Sequence, residues 1–227
     1  MARKPRINPR KIASQERSRA TVDALLEATT RILLREGYDQ ASTNKIAEVA
    51  GVSIGSLYQY FPSKEALVAA VIDRHTQEIS QVVRKALVKV AARPLGVAAR
   101  EFVSIGIDAH RVNPKLHAVL AEQIPRVGRL ENIDAMQRDG YALVRGYLEA
   151  HRDEIDVADL DIAAFICVRA VEALTHGAVL HHPELLAPDR VEGFIEEASR
   201  LLVRYLRKSD DKVAMRAFRD KPARRVT

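Results

Sequence analysis

The chain has 227 residues, of which 47% are hydrophobic and 29% are charged, so it is long and apolar enough to fold around a sizeable core. No apolar run is longer than that of residues 66–72, which is far shorter than the roughly 18 residues that a membrane span needs. The single cysteine, Cys167, excludes an internal disulfide and argues against a cysteine-based metal site. These features predict a cytoplasmic globular protein without membrane contact.

The net charge of +6 is unevenly distributed along the chain. Residues 1–19 contain seven basic residues and one acidic residue, and residues 204–227 contain nine basic and three acidic residues. The stretch between them contains 20 basic and 26 acidic residues. Basic ends on a mildly acidic body predict that contact with a polyanion is local. The alternative for both ends is a solvated, disordered tail, which is favoured for residues 207–227.

Helix signals begin close to the N-terminus. Apolar residues repeat at helical spacing from Val22 to Leu33, which predicts a first helix from Ser14 or Ser18 to Glu36. Gly37 then stands where a helix C-terminus favours a left-handed residue. Three further helices are predicted from their caps and stops, over residues 42–51, 53–61 and 63–90.

Beyond Arg93 the pattern stays helical, with breaks at residues 113–114, 125–128, 153–156 and 181–188. No alternating apolar pattern indicates a strand, so this half is predicted to be a bundle of about five helices. Pro188 suits the first turn of the final helix, which runs to about Leu206.

Residues 42–61, STNKIAEVAGVSIGSLYQYF, satisfy the requirements of a helix-turn-helix. Small Ala47 allows two helices to cross closely, Gly51 supplies the turn, and Ile46 and Leu57 help to close a small core beneath them. Within this region the stretch 55–67, GSLYQYFPSKEAL, resembles the tetracycline-repressor (TetR, AcrR-like) family in its glycine, small hydroxyl residue, Leu-Tyr, aromatic pair and Lys-Glu. The resemblance implies a bacterial transcription regulator, not an enzyme.

The fold predicted from these signals is all-α. A basic arm (1–17) precedes a three-helix helix-turn-helix domain (18–64), which is followed by a larger helical bundle (65–206) and a basic tail (207–227). In the resembled family the bundle binds an effector and forms the dimer.

Candidate DNA-binding residues cluster around the second helix of the motif. Ile54, Gly55 and Ser56 occupy the N-terminal turn that would enter the major groove. There Ile54 could contact a thymine methyl, Gly55 would allow the backbone to come close to the DNA, and Ser56 could form a hydrogen bond with a base edge. The caps and polar side chains around this turn complete the set: Ser42, Thr43, Ser53, Tyr58, Gln59, Tyr60 and Lys64. The resemblance supports phosphate contacts for Thr43, Tyr58, Tyr60 and Lys64, and core packing is an equal alternative for Tyr60.

The motif lacks an Arg or Asn fork for strong base readout, so the basic arm is expected to contribute. Arg17 and Arg19, which adjoin the first helix, are predicted to contact DNA. For the more distal residues of the arm, a solubilising tail is an equal alternative.

The resemblance further implies that the last two long helices form a homodimer. Two apolar stripes provide the candidate interface residues Phe165, Ile166, Ala170, Ala173, Gly177, Phe194, Ala198, Leu201, Leu202 and Tyr205. The alternative for both stripes is the core within one chain.

An effector pocket is expected among the helices that precede the interface. Its candidate residues are polar or aromatic side chains within apolar helices: Phe102, His110, His117, Gln123, Tyr141 and Arg169. An ion pair with Glu172 is the alternative for Arg169. No cofactor or metal is predicted, because His181, His182 and Glu184 lie in a loop and lack regular ligand spacing.

The predicted function is sequence-specific repression that is released when a small molecule binds, with double-stranded operator DNA and a second copy of the chain as partners. An all-helical enzyme is a contrasting hypothesis, but no nucleophile and base pair, phosphate loop or metal set supports it. An architectural DNA protein without an effector is the third, and a ligand-sized cavity would count against it.

Overall fold

The structure, a computed structural model, describes residues 16–127 and 131–207. The distal basic arm (1–15) and the tail from residue 208 lie outside the described residues. Over the described ranges the chain forms nine α-helices and a short 3-10 turn without a strand, which confirms the all-α prediction. The helices are α1 (Glu16–Glu36), α2 (Thr43–Ala50), α3 (Ile54–Tyr60), α4 (Lys64–Val90), α5 (Leu95–Arg111), α6 (Pro114–Val127), α7 (Glu131–Ala150), α8 (Leu160–His181) and α9 (Val191–Leu206), with the 3-10 turn at Pro183–Leu186.

Short-range signals set the boundaries of α2, α3 and α4. The side chains of Ser42, Ser53 and Ser63 each accept a hydrogen bond from the backbone N–H three residues later, which satisfies an N–H that has no partner within the helix. Gly51 ends α2 in the left-handed conformation, with φ of 65°. These helices therefore begin and end within about one residue of the predicted positions.

Two prolines differ from their predicted roles. The helix α6 passes through Pro125 and is described as far as Val127, so the first three residues of the predicted break are helical. Pro188 precedes α9 instead of lying in its first turn, because the N–H of Arg190 donates to the carbonyl of Ala187 at 2.9 Å. Pro188 is therefore the second residue of a turn, a position that suits its fixed φ.

The helix-turn-helix shares its core with the rest of the chain. Ile46 and Leu57 are fully buried together with Leu67 of α4, and α6 adds Leu116 and Leu120 to the same cluster. A second core joins α5, α7, α8 and α9. The first three helices are therefore held against the larger bundle by continuous apolar packing.

The helix α4 connects the two cores. Its 27 residues correspond to about 40 Å of helix. Its N-terminal half lies in the first core, whereas Val90 at its end packs with Ala98 and Ile105 of α5. A displacement at one end of α4 is therefore expected to reach the other.

One described helix, α8, is long and apolar enough to cross a membrane by length and composition. Its most apolar 18-residue window has a mean hydropathy of 1.5, and one third of that window is buried. One such helix is weak support for a membrane span, since core and interface helices have the same composition.

Gly106 allows α5 and α8 to pack closely, and its replacement tests this packing. A Cβ at this position would lie 2.9 Å from Val171 Cγ1 and 3.0 Å from Thr175 Oγ1. We predict that Gly106→Ala lowers the free energy of unfolding by about 1–3 kcal/mol, because overpacking forces the helices or side chains to shift.

The matched control for this prediction is Gly140→Ala in α7, where an added Cβ meets open space. This variant is expected to be as stable as the parent or slightly more stable, because Ala favours helix. Urea unfolding of both variants gives the comparison, and a Gly106→Ala protein as stable as the control would show that the contact is not tight.

Candidate nucleic-acid interface

The helices α2 and α3 each pack one face against the protein core and expose the opposite face. Ile46, Ala47 and Leu57 are buried, and the N–H of Val52 donates to the carbonyl of Ala47 at 2.9 Å across the turn. The remaining surface of α3 is available for an external partner.

The N-terminal turn of α3 presents Ile54, Gly55 and Ser56 together. Ile54 and Gly55 are exposed, and a Cβ added at Gly55 would meet no atom within 4 Å. Ser53 caps the turn by accepting from the N–H of Ser56 at 3.1 Å, and the two hydroxyl oxygens lie 2.8 Å apart. Hydrogen bonds with Ser53 therefore hold the start of the turn, and no protein atom of the described residues covers its outer surface at Gly55.

Polar side chains from both helices meet beside this turn. The hydroxyls of Thr43 and Tyr58 lie 3.1 Å apart, and Tyr58 is 40% exposed. Ser42 and Gln59 are also exposed. Tyr60, by contrast, is only 6% exposed and belongs to the first core, so of its two alternatives the structure favours core packing.

Lys64 is held in place by Tyr38, a residue that the motif did not suggest. The Lys64 ammonium donates to the Tyr38 carbonyl at 3.1 Å and lies 4.0 Å from the centroid of its ring, a cation–π contact. The positive charge is therefore positioned at the start of α4, next to the end of α3.

Arg17 and Arg19 both lie in the first turn of α1. The sequence had placed Arg17 in the basic arm that precedes this helix. The helix begins at Glu16, so the arm ends earlier than the sequence suggested. Arg19 is exposed, and the side chain of Arg17 lies outside the described part of the chain.

A cavity of about 300 Å³ lies in the second half of the protein. Its walls are almost wholly apolar and come from five helices: Leu87 and Val90 of α4, Leu95 and Phe102 of α5, Tyr147 and Leu148 of α7, Cys167 of α8, and Leu202 and Leu206 of α9. The Tyr147 hydroxyl donates to the carbonyl of Arg93 at 2.9 Å. Such a cavity suits a small hydrophobic molecule.

Of the predicted effector residues, Phe102 lines this cavity and the others lie elsewhere. Arg169 forms an ion pair with Glu172 at 2.5 Å, which fits the structural alternative. Tyr141 stacks on Phe165 with ring centroids 6.0 Å apart, and Gln123 is buried.

His110 and His117 join two further histidines, His75 and His176, in one cluster. These four residues come from α4, α5, α6 and α8. Sequence reasoning found two of them and missed the cluster, because no local pattern relates residues on four different helices.

The faces of α8 and α9 are divided between core and surface. Six large apolar residues are substantially exposed: Ile162, Phe165, Ile166, Leu174, Leu201 and Tyr205. Among the other predicted interface residues, Ala173 is exposed, and Ala170, Gly177 and Phe194 are partly buried.

Two predicted interface residues require correction. Leu202 and Ala198 are 2% and 7% exposed and belong to the second core. Their side chains point into the chain's own bundle, so they are not available to a partner. Their neighbour Leu201, at 51% exposed, is available.

Two family models match the chain. The model for bacterial regulatory proteins of the tetR family matches residues 25–71, and the model for the tetracyclin repressor-like C-terminal domain matches residues 94–206. Together these matches cover more than two thirds of the sequence and include the helix-turn-helix and the cavity residues from Leu95 onward.

A curated relative shares part of this sequence. Rv1255c of Mycobacterium tuberculosis H37Rv, an uncharacterized HTH-type transcriptional regulator, is 33% identical over 117 residues, which cover 51% of this chain and 56% of that protein. The chain therefore spans little more than half the length of this relative.

Solved structures share the fold. A TetR family transcription regulator from Marinobacter aquaeolei VT8 superposes with a TM-score of 0.61 at 18% identity, covering 86% of this chain and 99% of that one. SmeT, the repressor of the Stenotrophomonas maltophilia multidrug efflux pump SmeDEF, gives 0.58 at 20% identity, covering 84% and 94%. SmeT has also been solved in complex with triclosan.

Cys167 provides a chemical test of the cavity. Burial raises the pKa of its thiol to about 12, so the reactive thiolate is disfavoured at neutral pH. We predict slow alkylation of Cys167 in the native protein and fast alkylation after denaturation, measured by mass spectrometry. Equal rates in the two states would contradict the burial of this thiol.

Proposed function

The chain belongs to the TetR family of bacterial regulatory proteins, and we propose that it is a cytoplasmic repressor that releases a palindromic operator when a small molecule binds its second half. This proposal is supported above all by the N-terminal turn of α3, which is exposed and has open space around Gly55. The rest of the helix-turn-helix packs into a buried core that holds this turn in place. No enzymatic activity is proposed, since the family consists of regulators.

In this proposal the first turn of α3 reads bases and the residues around it bind phosphate. Gly55 permits close approach of the backbone, and Ser56 and Ile54 supply a hydroxyl and a methyl-contacting side chain. Tyr58, held by Thr43, and Lys64, held by Tyr38, have fixed positions and so suit contacts that set register.

The exposed apolar residues of α8 and α9 support a homodimer. A cluster of large apolar side chains on two neighbouring helices is unfavourable in water and is typical of an interface. A dimer would present two copies of α3 to half-sites about one DNA turn apart. It would also account for the apolar composition of α8 without a membrane.

The apolar cavity is the proposed effector site. Its apolar lining suits a hydrophobic molecule. SmeT, which shares the fold, has been solved in complex with triclosan. Leu87 and Val90 of α4 line it, while the other end of α4 follows α3 directly. A ligand that binds one position of α4 more tightly than another shifts the population towards that position and thereby changes the spacing of the two α3 helices.

The cavity also weighs against an architectural DNA protein, which has no need of a ligand-sized apolar site. The described residues near the cavity include no nucleophile and base pair that would support an enzyme, because Cys167 is kept protonated by burial.

DNA binding is tested first by selecting genomic fragments with the purified protein and then comparing variants on those fragments. Gly55→Ala and Ser56→Ala are expected to change the preference among fragments by about 1–3 kcal/mol per lost base contact. Tyr58→Phe is expected to weaken binding to all fragments about equally, since a phosphate contact carries no base information.

Gly140→Ala in α7 is the control for Gly55→Ala, because its added Cβ also meets open space, and it lies outside the motif and outside α8 and α9. The control should bind as the parent does. If Gly55→Ala and Ser56→Ala remain folded and bind every fragment like the parent, then α3 does not read DNA.

The dimer is tested by placing a charge on the exposed stripe. We predict that Phe165→Glu and Leu201→Glu convert a micromolar dimer into monomer in analytical ultracentrifugation, because a carboxylate would be buried without a partner. Val88→Glu is the matched control, since Val88 is 73% exposed on α4 and should tolerate the charge. A parent that sediments as monomer would contradict the interface.

A further inference from the structure

Four histidines converge between α4, α5, α6 and α8, apart from the apolar cavity. The ring centroids of His110 and His117 lie 5.0 Å apart, and His176 lies 5.4 Å from each of them. His75 lies 5.4 Å from His117 on the other side. The rings of His110, His117 and His176 thus form a triangle, and the ring of His75 lies next to His117.

The triangle has the dimensions of a metal site. One ring nitrogen from each of His110, His117 and His176 lies within 4.8 Å of the other two. A tetrahedral Zn²⁺ with bonds of about 2.0–2.1 Å places its ligand nitrogens about 3.3–3.4 Å apart. Small side-chain rotations therefore suffice to close the site around an ion. All three rings are partly exposed, so an ion can reach them.

Hydrogen bonds orient two of the three rings in the manner of metal ligands. His110 Nδ1 lies 2.7 Å from the carbonyl oxygen of Gly106, so Nδ1 carries the proton and Nε2 keeps its lone pair. His117 Nδ1 lies 3.2 Å from Nε2 of His75, whose own Nδ1 is 3.9 Å from a Glu78 carboxylate oxygen. A histidine ligand held through its second nitrogen by a carbonyl or another side chain is the usual arrangement.

Burial lowers the pKa of several rings of the cluster. Burial, followed by the charges of the neighbouring histidines, lowers the pKa of His117 to about 4. Burial also lowers the pKa values of His75 and His176. A lowered pKa favours the neutral imidazole, which has a lone pair to donate, so His117 and His176 need not release an added proton when an ion binds.

We propose that His110, His117 and His176 bind a divalent transition-metal ion of the Zn²⁺ class, with His75 as a positioning residue for His117. Three nitrogen donors without a carboxylate favour this class over Mg²⁺ and Ca²⁺, which take oxygen ligands. Three protein ligands leave a fourth position for water or a ligand atom.

Bound metal would fasten α6 to α5 and α8. The residues that flank His117, Leu116 and Leu120, lie in the core of the helix-turn-helix. The ion would therefore bias the position of that core, and operator affinity should depend on the metal. This last step rests on the proposed function, whereas the metal site itself does not.

The experiment uses the full chain without an affinity tag, treated with chelator and then titrated with Co²⁺ in the absence of DNA. We expect one Co²⁺ per chain with visible ligand-field absorption that Zn²⁺ abolishes by displacement. His110→Gln and His176→Gln should each weaken binding more than about 100-fold, and His75→Phe about 10–100-fold, with His75→Gln less affected because its amide can still reach His117.

The matched control is His182→Gln, since His182 is exposed and pairs with Glu184 outside the cluster. It should bind Co²⁺ like the parent. A parent without Co²⁺ absorption, or equal binding by folded His110→Gln and His176→Gln proteins, would overturn the site, as would binding of an inorganic anion at the cluster with no binding of Co²⁺. Operator affinity measured with and without Zn²⁺ tests the coupling separately: an unchanged affinity in a protein that binds Co²⁺ overturns the coupling alone.

Discussion

The packing of α4 and α6 into the core of the helix-turn-helix is the constraint on which the rest of the structure depends. The helices α1–α3 are too few to bury their apolar faces by themselves. Leu67 of α4 and Leu116 of α6 complete their core. The exposed turn at Gly55 is consequently oriented in part by helices of the larger bundle, and a movement of α4 or α6 is expected to change its direction. A binding event in the bundle therefore has a physical path to α3 without any contact to it.

The bundle offers two chemically different places for such an event. The cavity between α4, α5, α7, α8 and α9 is lined by hydrocarbon, where an unpaired polar group is costly. The histidine cluster offers nitrogen lone pairs at the junction with α6. Both include residues of α4, Leu87 at the cavity and His75 at the cluster, so a hydrophobic ligand and a metal ion would act on the same helix. Two inputs on one rigid element are coupled whenever each prefers a different position of that element.

Most of the fold could be predicted because its signals are local. Ser42, Ser53 and Ser63 cap the next helix through their own side chains, and Gly51 stops α2 through its own backbone, so a few adjacent residues suffice to locate each boundary. Where the signal depended on surroundings, the sequence did not separate buried from exposed positions. Leu201 and Leu202 are equally apolar and adjacent, yet about 100° apart around α9, and only the position of the other helices determines that Leu202 is buried and Leu201 exposed.

The candidate sites also differ in whether local sequence or helix packing brings their residues together. The DNA-facing turn is one continuous segment, so its residues were identified together, although the burial of Tyr60 depends on a core to which several other helices contribute. The histidine cluster has no counterpart in local sequence, because its members are brought together by helix packing. Gly106 is the clearest instance: its missing side chain lets α5 approach Val171 and Thr175 of α8, and its carbonyl accepts from His110. One residue therefore sets both the distance between two helices and the orientation of a ring that lies between them.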